Sequence, residues 1–260
     1  MNNKLYEEFA GYYAAMSNQR DFKGQLDCIL DLYEPEDPCK SMLELFAGQS
    51  FHSIEALDKG NIDVWAIDGS PEMKTLALRS GFKKAEQYIV GNLPETILTC
   101  TGKVKFDCIL CLYHGLSNMT LKGVYEALGH LKNLLNKKGR LFLEIHNIEK
   151  MMEYLTSPIV HIEELQTSEH TDLVVKYAWP SAKINWNPYD YNAVVPIKLI
   201  LESSTGTETI ELTSQDRIFS AEDIMFIAEL LGYNSRILTD EIAGRIHFGN
   251  SVILELSIPS

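Results

Sequence analysis

The sequence predicts an α/β fold: a doubly wound, mainly parallel seven-stranded sheet with an antiparallel β insertion before the last helix. Apolar strand-like runs alternate with helix-sized segments between residues 41 and 146, which is typical of a parallel sheet covered by helices on both faces. The alternation stops at Pro158 and resumes at Ser220. The stretch between these two residues is therefore predicted to be an insertion.

Composition and charge narrow the classes of function. The chain has 260 residues, an apolar fraction of 45% and a formal net charge of −13. Such an apolar fraction is ordinary for a globular core. The acidic excess would repel phosphate backbones, so we expect no nucleic-acid partner. No apolar stretch approaches the roughly 20 residues that cross a bilayer. Residues 1–8 lack the plan of a signal peptide, so we expect a cytoplasmic protein without membrane association.

The elements follow in chain order. The leading segment, residues 4–33, has apolar side chains at helical spacing and ends before Pro35, because proline cannot continue a helix. Strands of the sheet are predicted at residues 41–47, 62–68, 88–90, 106–113, 140–146, 234–238 and 251–256. Helices are predicted at residues 51–59, from Pro71 onward, at 121–135 and at 224–231, with cap residues or glycines at several ends. The predicted domains are a helical cap (1–34), an α/β domain (35–158 and 218–260) and the insertion (159–217).

The insertion has a strand-like pattern of its own. Four β-like segments are predicted at residues 160–165, 173–177, 194–201 and 208–212. Polar residues and Gly206 separate them, so an antiparallel sheet fits best. The insertion is also rich in aromatic residues, namely Tyr177, Trp179, Trp186, Tyr189 and Tyr191.

The five cysteines include one C-x-x-C pair, Cys108 and Cys111. Such a pair can form a redox centre or half of a zinc site. Here it lies in an apolar run that is predicted as a buried strand, and residues three apart on a strand point to opposite faces. We therefore interpret the cysteines as small core residues of a reduced protein and predict no metal site.

Two strand-to-helix junctions suit a nucleoside-type cofactor. In an open parallel sheet, ligands bind beyond the carboxyl ends of the strands, beside the switch in strand order. Gly48 follows the first strand and permits a tight turn. Asp68 ends the second strand, at the spacing of an acid that accepts hydrogen bonds from ribose hydroxyls. A strand that merely turns at Gly48 is the plainer alternative, and Asp68 at this spacing favours the cofactor.

These junctions resemble the motifs of the class I S-adenosylmethionine-dependent methyltransferases, whose first strand ends E/D-x-G-x-G-x-G and whose second ends G-x-D-x-S-x-x-M. The matching runs are Met42–Gly48, Val64–Met73, Gly91–Leu93, Phe106–Ile109, Leu134–Gly139, Arg217–Ile224 and Leu231–Tyr233. They extend over most of the chain. The resemblance implies a Rossmann-like methyltransferase fold, S-adenosyl-L-methionine as the cofactor and the small-molecule branch of the family. The layout is similar to amino-sugar and glycine-type N-methyltransferases, which carry a similar sheet insertion.

The resemblance also implies which residues bind the cofactor. Asp68 would bind the ribose, Asn92 and Leu93 the edge and face of the adenine, and Glu44 would make a contact directly or through water. The full set is Glu44, Ala47, Gly48, Asp68, Gly69, Met73, Asn92, Leu93, Leu112 and Tyr13.

Three positions depart from the family pattern. Phe46 and Ser50 stand where the family usually has glycine, and Asn92 stands where an aspartate is common. Asparagine still offers a carbonyl acceptor. The thinned glycine motif also argues against a dinucleotide-dependent dehydrogenase, because no glycine lets a helix N-terminus approach a pyrophosphate closely.

His114 and Tyr113, at the end of the fourth strand, are the predicted catalytic residues. A sulfonium supplies an activated methyl group, so the protein mainly has to align the acceptor and exclude water. A general base is then optional. His114 or Tyr113 would supply it, with His146 at the end of the fifth strand in reserve.

The insertion is the predicted substrate lid. Its rings suggest a partly apolar or cationic acceptor, because ring faces attract ammonium groups. Packing within a small antiparallel layer is the alternative, and for Tyr6 and Tyr13 it is simple helix packing. The predicted substrate-binding residues are Tyr6, His146, Trp179, Trp186, Tyr189 and Tyr191. The acceptor would be a nitrogen or oxygen nucleophile of a small metabolite.

Other classes of function are weighed against this one. The loss of two of the three motif glycines favours a non-catalytic protein that keeps the fold for binding. Binding of S-adenosylhomocysteine would discriminate the methyltransferase from this non-catalytic protein. A cytosine-5 DNA methyltransferase is excluded, because Leu112-Tyr113-His114-Gly115 lacks the Pro-Cys nucleophile. Protein substrates stay open. A homodimer is compatible with the sequence, which does not determine the oligomeric state.

Overall fold

The computed structural model describes residues 4–165, 173–238 and 245–259. The chain divides into two compact units, which we call the insertion unit (residues 1–19 and 148–218) and the α/β unit (residues 20–147 and 219–260). Residues 1–34, predicted as one helical cap, are thus divided between the two units.

The described residues form twelve strands. They are β1 (Ser41–Leu45), β2 (Asp63–Asp68), β3 (Tyr88–Val90), β4 (Phe106–Cys111), β5 (Leu135–Ile145), β6 (Glu163–Leu165), β7 (Val174–Ala178), β8 (Asn185–Asn187), β9 (Asn192–Ser203), β10 (Gly206–Arg217), β11 (Asn234–Ile237) and β12 (Val252–Ser257).

Eight α-helices accompany these strands in the described ranges. They are α1 (Ala10–Met16), α2 (Phe22–Leu30), α3 (Phe51–Asp58), α4 (Pro71–Ser80), α5 (Leu121–Lys132), α6 (Ile148–Thr156), α7 (Ala221–Leu230) and α8 (Arg245–Phe248). The sequence analysis does not predict α6 or the one-turn α8. Helix α7 begins at Ala221, three residues before the predicted 224, and a capping box between Ser220 and Asp223 stabilises this start.

The α/β unit is built on a seven-stranded sheet in the order β3-β2-β1-β4-β5-β12-β11. Strand β12 runs antiparallel to both of its neighbours, and the other pairs are parallel. The predicted doubly wound, mainly parallel seven-stranded sheet is therefore confirmed.

Each face of this sheet carries an apolar core. Alternate residues of β4 divide between the two, with Ile109 and Cys111 in one core and Cys108 in the other. Helices α5 and α7 contribute to the first core, and α2 and α3 to the second. Cys108 and Cys111 point to opposite faces as predicted, and all five cysteines are free thiols.

The structure corrects the boundary between α5 and β5. The predicted helix at residues 121–135 ends at Lys132, and the predicted strand at 140–146 begins at Leu135. The extra strand residues arise because Leu135 pairs with Phe106 before an irregularity shifts the register. Gly139 sits at this irregularity, where a Cβ atom would lie 2.6 Å from the Phe106 carbonyl oxygen. Only glycine fits so close to the neighbouring strand.

The insertion unit has an antiparallel sheet in the order β10-β9-β7-β6, with β8 paired to β9. The predicted antiparallel insertion before α7 is therefore confirmed. Helices α1 and α6 contribute to the apolar clusters that include the buried β9 residues. The predicted segments 194–201 and 208–212 are parts of longer strands, because backbone pairing continues through polar residues that carry no apolar pattern.

The described ranges contain neither a membrane-spanning helix nor a cluster of metal-ligating side chains. No helix there is long and apolar enough to span a bilayer, and no cluster of three or more His, Cys, Asp or Glu side chains could hold a metal ion.

Candidate cofactor-binding and active site

The centre of the α/β sheet has the geometry of a ligand crevice. Strands β1 and β4 are neighbours there. The strand order continues from β1 to β2 on one side and from β4 to β5 on the other. Beside such a switch in strand order, the loops at the carboxyl ends diverge and leave room for a ligand. The loops concerned are residues 46–50 and residues 112–115.

The loop after β1 keeps a glycine-like backbone although only one of three key residues is glycine. Phe46, Gly48 and Ser50 have φ angles of 51°, 53° and 58°. A left-handed conformation costs roughly 1–2 kcal/mol for a residue with a side chain, so packing must hold Phe46 and Ser50. The Phe46 ring lies against Gly115, where a Cβ atom would be 2.6 Å away from it. Phe46 and Ser50 thus have backbone conformations that favour glycine, the residue that the family motif has at these positions.

Asp68 ties this loop to the end of β2. Its Oδ2 accepts a hydrogen bond from the Gly48 amide at 2.8 Å, and its Oδ1 accepts one from the Ser70 amide at 2.9 Å. Burial raises the pKa of Asp68, while these amide donors oppose the rise. A carboxylate has about four lone-pair sites, so the Asp68 carboxylate as a whole retains acceptor capacity beyond its backbone donors Gly48, Ser70 and Gly69.

Glu44 is buried at the end of β1, and its carboxylate is used within the protein. Oε1 lies 2.9 Å from His52 Nδ1, and Oε2 accepts hydrogen bonds from the amide (3.0 Å) and hydroxyl (2.5 Å) of Ser53. His52 Nε2 in turn lies 2.8 Å from Gln25 Oε1. These bonds give a buried acid the partners that it requires, and they anchor the first turn of α3. The cofactor contact predicted for Glu44 would be additional to this structural role.

The other predicted cofactor residues differ in exposure. Asn92 is exposed, and its Oδ1 lies 3.3 Å from the position of a Cβ atom on Gly69, so the loops after β2 and β3 meet there. Leu93 is half-buried. Three more are buried, which leaves them little surface for a ligand: Ala47, Met73 and Leu112. Tyr13 belongs to the insertion unit.

His114 and His146 follow the ends of the adjacent strands β4 and β5. Their rings are stacked, with centroids 3.8 Å apart and planes inclined by 8°. Burial lowers the pKa of both, that of His146 to about 3, so both rings are neutral near pH 7. His146 Nε2 is buried and has no hydrogen-bond partner among the described residues. This neutral pair can accept a proton or exchange hydrogen bonds with a ligand.

A buried carboxylate that the sequence analysis missed lies beside His114. Glu144 Oε1 accepts hydrogen bonds from Arg20 Nη1 and Ser251 Oγ, each at 2.6 Å, and Oε2 accepts one from the Tyr113 amide at 2.7 Å. Burial opposes ionisation, but the neighbouring His114, the Arg20 guanidinium and the hydrogen bonds from Ser251 and Arg20 hold the pKa of Glu144 below its usual value. The one signal in the sequence is an acid within the apolar strand β5.

Tyr113, the other predicted catalytic residue, has a different environment. Its ring lies 4.1 Å from the Arg20 guanidinium carbon, in a cation–π arrangement. Burial raises the pKa of Tyr113, although the Arg20 charge opposes the rise. The phenol therefore stays protonated near pH 7, which favours His114 over Tyr113 as a base.

The predicted substrate residues of the insertion unit fall into separate groups. Tyr6 and Tyr13 make an edge-to-face pair at 4.8 Å, and the Tyr13 and Trp179 ring centroids are 6.2 Å apart. Trp186 lies 6.0 Å from Tyr191. The structure does not place Tyr189 in either pair, and this side chain is 93% exposed.

The residues present fit the cofactor that the resemblance implies. S-adenosylmethionine has no phosphate, so it requires no glycine-rich approach to a helix N-terminus. It requires an open backbone turn and an acceptor for the ribose. A Cβ atom on Gly48 would meet nothing within 4 Å, and the Asp68 carboxylate adjoins this open turn.

Comparison with known proteins gives a limited sequence match. No protein-family model matches the chain. The glycine/sarcosine N-methyltransferase of Parasynechococcus marenigrum (strain WH8102) is 27% identical over 119 residues, which are 45% of this chain and 42% of that enzyme. The aligned stretch thus spans less than half of that enzyme.

Solved structures match nearly the whole chain. DesVI of Streptomyces venezuelae has a TM-score of 0.71 at 13% identity, over 96% of this chain and 97% of that chain. An S-adenosylmethionine-dependent methyltransferase from Clostridium acetobutylicum has a TM-score of 0.69 at 16% identity, over 97% and 98%. The sugar N-methyltransferase KedS8 from a Streptoalloteichus species has a TM-score of 0.71 at 13% identity, over 96% and 93%.

The strand order and these matches define the fold of the protein. The chain has the fold of the class I S-adenosylmethionine-dependent methyltransferases, and the resemblance in its sequence is confirmed at this level. Within that class it is similar to proteins of the small-molecule branch, which include a sugar N-methyltransferase and an amino pentose methyltransferase.

Proposed function

We propose that this protein is an enzyme, an S-adenosyl-L-methionine-dependent methyltransferase that acts on a nitrogen or oxygen of a small metabolite. Nitrogen is the favoured acceptor atom, because the curated relative and a structural neighbour are N-methyltransferases. The observation that carries the proposal is the turn after β1. It has left-handed φ angles at residues 46, 48 and 50, the positions where the family motif has glycine, and it is hydrogen-bonded to Asp68.

The roles proposed for the cofactor site follow from this turn. When bound, S-adenosylmethionine supplies a methyl group activated by its sulfonium. Asp68 binds the ribose hydroxyls, Asn92 and Leu93 contact the adenine, and the backbone around Gly48 passes close to the cofactor. The family positions, the acceptor capacity of Asp68 and the open space at Gly48 support these assignments.

His114 is proposed to receive or orient the acceptor. An ammonium group has no lone pair, so an amine acceptor must lose a proton before it is methylated. A histidine that is neutral near pH 7 can take that proton, and burial keeps His114 neutral. His146, stacked on His114, is proposed to contact the acceptor through its buried Nε2.

The insertion unit is proposed to recognise the acceptor. Its rings form apolar surfaces that also attract ammonium groups, which suits an amine metabolite. The proposed residues are Tyr6, Trp179, Trp186, Tyr189 and Tyr191.

We also propose that the protein works in the cytoplasm without a nucleic-acid partner, consistent with its net charge of −13, and as a homodimer.

Binding of S-adenosylhomocysteine, measured by calorimetry, tests the cofactor assignment. The full chain is expected to bind it, and Asp68→Asn is expected to weaken binding about 10–100-fold, because hydrogen bonds to a charged acceptor are lost. Asp58→Asn is the matched control. It makes the same charge change at a side chain that is 65% exposed and whose ion pair with Lys83 is long, at 4.0 Å. The affinity of this variant for S-adenosylhomocysteine should therefore equal that of the wild type.

Screening pools of small amines and hydroxy compounds with methyl-labelled S-adenosylmethionine tests the activity. Transfer of label to a small molecule is the expected result. If the wild type binds no S-adenosylhomocysteine, the proposal is wrong and the non-catalytic alternative is favoured. Equal loss in Asp68→Asn and Asp58→Asn would contradict the ribose assignment, since it would reflect net charge alone.

A further inference from the structure

We propose that Glu144 and Ser251 are positioning residues that hold His114 in the tautomer with its proton on Nε2, which leaves Nδ1 as the proton acceptor of the site. The catalytic consequence rests on the proposed function. The tautomer is a property of the protein alone, so it can be tested without a substrate.

The first step concerns the proton of the Ser251 hydroxyl. An ionised carboxylate can only accept hydrogen bonds, whereas a guanidinium and a backbone amide can only donate them. Glu144 accepts from Arg20 and from the Tyr113 amide, and the Arg20 guanidinium, 2.6 Å from Oε1, keeps this carboxyl ionised. Ser251 Oγ lies 2.6 Å from Glu144 Oε1. Its single proton must therefore point to Glu144.

The second step concerns the proton of His114. Ser251 Oγ also lies 3.1 Å from His114 Nε2. Because the hydroxyl proton already points to Glu144, this second bond requires Nε2 to donate. The negative charge of Glu144 Oε1, which lies 3.7 Å from the same nitrogen, also attracts a proton to Nε2. A neutral imidazole carries one N–H, so Nδ1 carries the lone pair.

During turnover, His114 would take up a proton from the substrate. A substrate ammonium would give a proton to Nδ1, so its N–H bond breaks, an Nδ1–H bond forms, and the amine nitrogen gains the lone pair that attacks the methyl group. His114 becomes an imidazolium whose Nε2–H still donates to Ser251. The Glu144 carboxylate at the end of this chain offsets the new charge, while burial and the Arg20 charge oppose it. After product release the proton returns to water.

Nitrogen NMR of the ligand-free full chain, labelled with ¹⁵N-histidine, tests the tautomer. The sequence has seven histidines, and the signals of His114 are identified by their loss in His114→Asn. Near pH 7 we expect a protonated Nε2 and an unprotonated Nδ1. A proton on Nδ1 in the wild type would overturn the inference.

Variants test which residues hold the tautomer. Ser251→Ala leaves the more distant Glu144 oxygen as the nearest acceptor, so the population with the proton on Nδ1 should rise about three- to tenfold. Ser251→Thr keeps a hydroxyl and should restore the wild-type ratio. Glu144→Gln should shift the ratio in the same direction as Ser251→Ala, because an amide group can donate to Ser251. An unchanged ratio in folded Ser251→Ala would overturn the assignment even if Glu144→Gln does not fold.

Activity measurements separate this inference from the proposed function. With an amine substrate, Ser251→Ala should lower kcat about tenfold with little change in KM, and the loss should lessen at higher pH, where more amine is already neutral. A methyltransferase whose His114 carries its proton on Nδ1 would contradict this inference alone. A chain that shows the expected tautomer but transfers no methyl group would contradict only the proposed function.

Discussion

Backbone strain is concentrated in the two loops beside the switch in strand order. Four residues with side chains have positive φ angles there: Phe46, Ser50, Tyr113 and His114. Each such conformation costs roughly 1–3 kcal/mol and persists only where surrounding packing enforces it. The strain thus coincides with the loops that we propose to hold the cofactor and the base.

A pair of substitutions in the loop after β1 separates strain from ligand space. Gly48→Ala adds a side chain at a φ of 53°, so it should lower the free energy of unfolding by about 1–2 kcal/mol. It should also weaken S-adenosylhomocysteine binding, because the methyl group enters the open space at the turn. Ser50→Gly relieves the same conformation and should stabilise the protein by about 0.5–1 kcal/mol.

Urea unfolding and calorimetry measure the two effects. Ser50→Gly is the control for binding, since it alters the same loop without adding an atom, and its affinity should stay within a few-fold of the wild type. If both variants lower stability equally, side-chain packing rather than φ governs the loop. Unchanged affinity in Gly48→Ala would contradict the placement of the cofactor.

At the scale of single elements, β10 carries an acid on the same face as its apolar residues. Asp216 alternates along the strand with Leu212 and Ser214, both buried, and pairs with the buried Ala193 of β9. Burial raises the pKa of Asp216 to about 6, although a hydrogen bond from Ser214 at 3.5 Å opposes the rise. The insertion sheet thus contains a carboxyl that burial makes harder to ionise than in the unfolded chain.

The raised pKa predicts how stability depends on pH. The folded state keeps the Asp216 proton up to about pH 6, whereas the unfolded state loses it near 3.8. The folded state therefore binds more protons between these values, and stability falls as pH rises from about 4 to 6. Asp216→Asn should remove this fall and raise the free energy of unfolding at pH 7 by about 1–3 kcal/mol.

Urea unfolding of the full chain at pH 4.5 and pH 7.5 tests this prediction. Glu211→Gln, an exposed carboxyl on the same strand, is the control and should leave the pH dependence unchanged. A variant Asp216→Asn that is less stable than the wild type at pH 7.5 would show that the carboxylate has a favourable partner.

For the molecule as a whole, the proposed function assigns the cofactor and the base His114 to the α/β unit, and aromatic contacts with the acceptor to the insertion unit. The α/β unit contains the crevice at the switch in strand order, and the insertion unit contains the aromatic residues. Binding to the folded protein alone stabilises it by about 2.7 kcal/mol at a hundredfold excess over Kd. Slower hydrogen exchange of backbone amides should show which residues the ligand contacts.

Hydrogen exchange with and without S-adenosylhomocysteine tests this division. The fast-exchanging amides of residues 46–50, 68–73 and 112–115 should slow, because the ligand orders these loops. The amides of the turn between β9 and β10 should exchange as before and serve as the internal control. Protection at that turn, with none after β1 and β2, would contradict the assignment of the cofactor to the α/β unit.

Local pattern predicted most of the sheet but not the full length of its strands. β5 starts five residues before its predicted first residue, Arg140, and β9 and β10 extend beyond their apolar cores. Strand ends depend on whether a neighbouring strand offers backbone partners, and such pairing leaves no trace in side-chain polarity.

Local sequence pattern predicts the doubly wound sheet, its antiparallel insertion, and the positions of Gly48, Asp68 and His114 at strand ends. These follow from short-range periodicity and from motif spacing, which act within one element and its turn. Only the tertiary structure decided the surroundings of His114. Arg20 and Ser251 lie 124 and 107 residues from Glu144. Their meeting depends on strand order, because β12 returns beside β5 and brings Ser251 to the buried carboxylate.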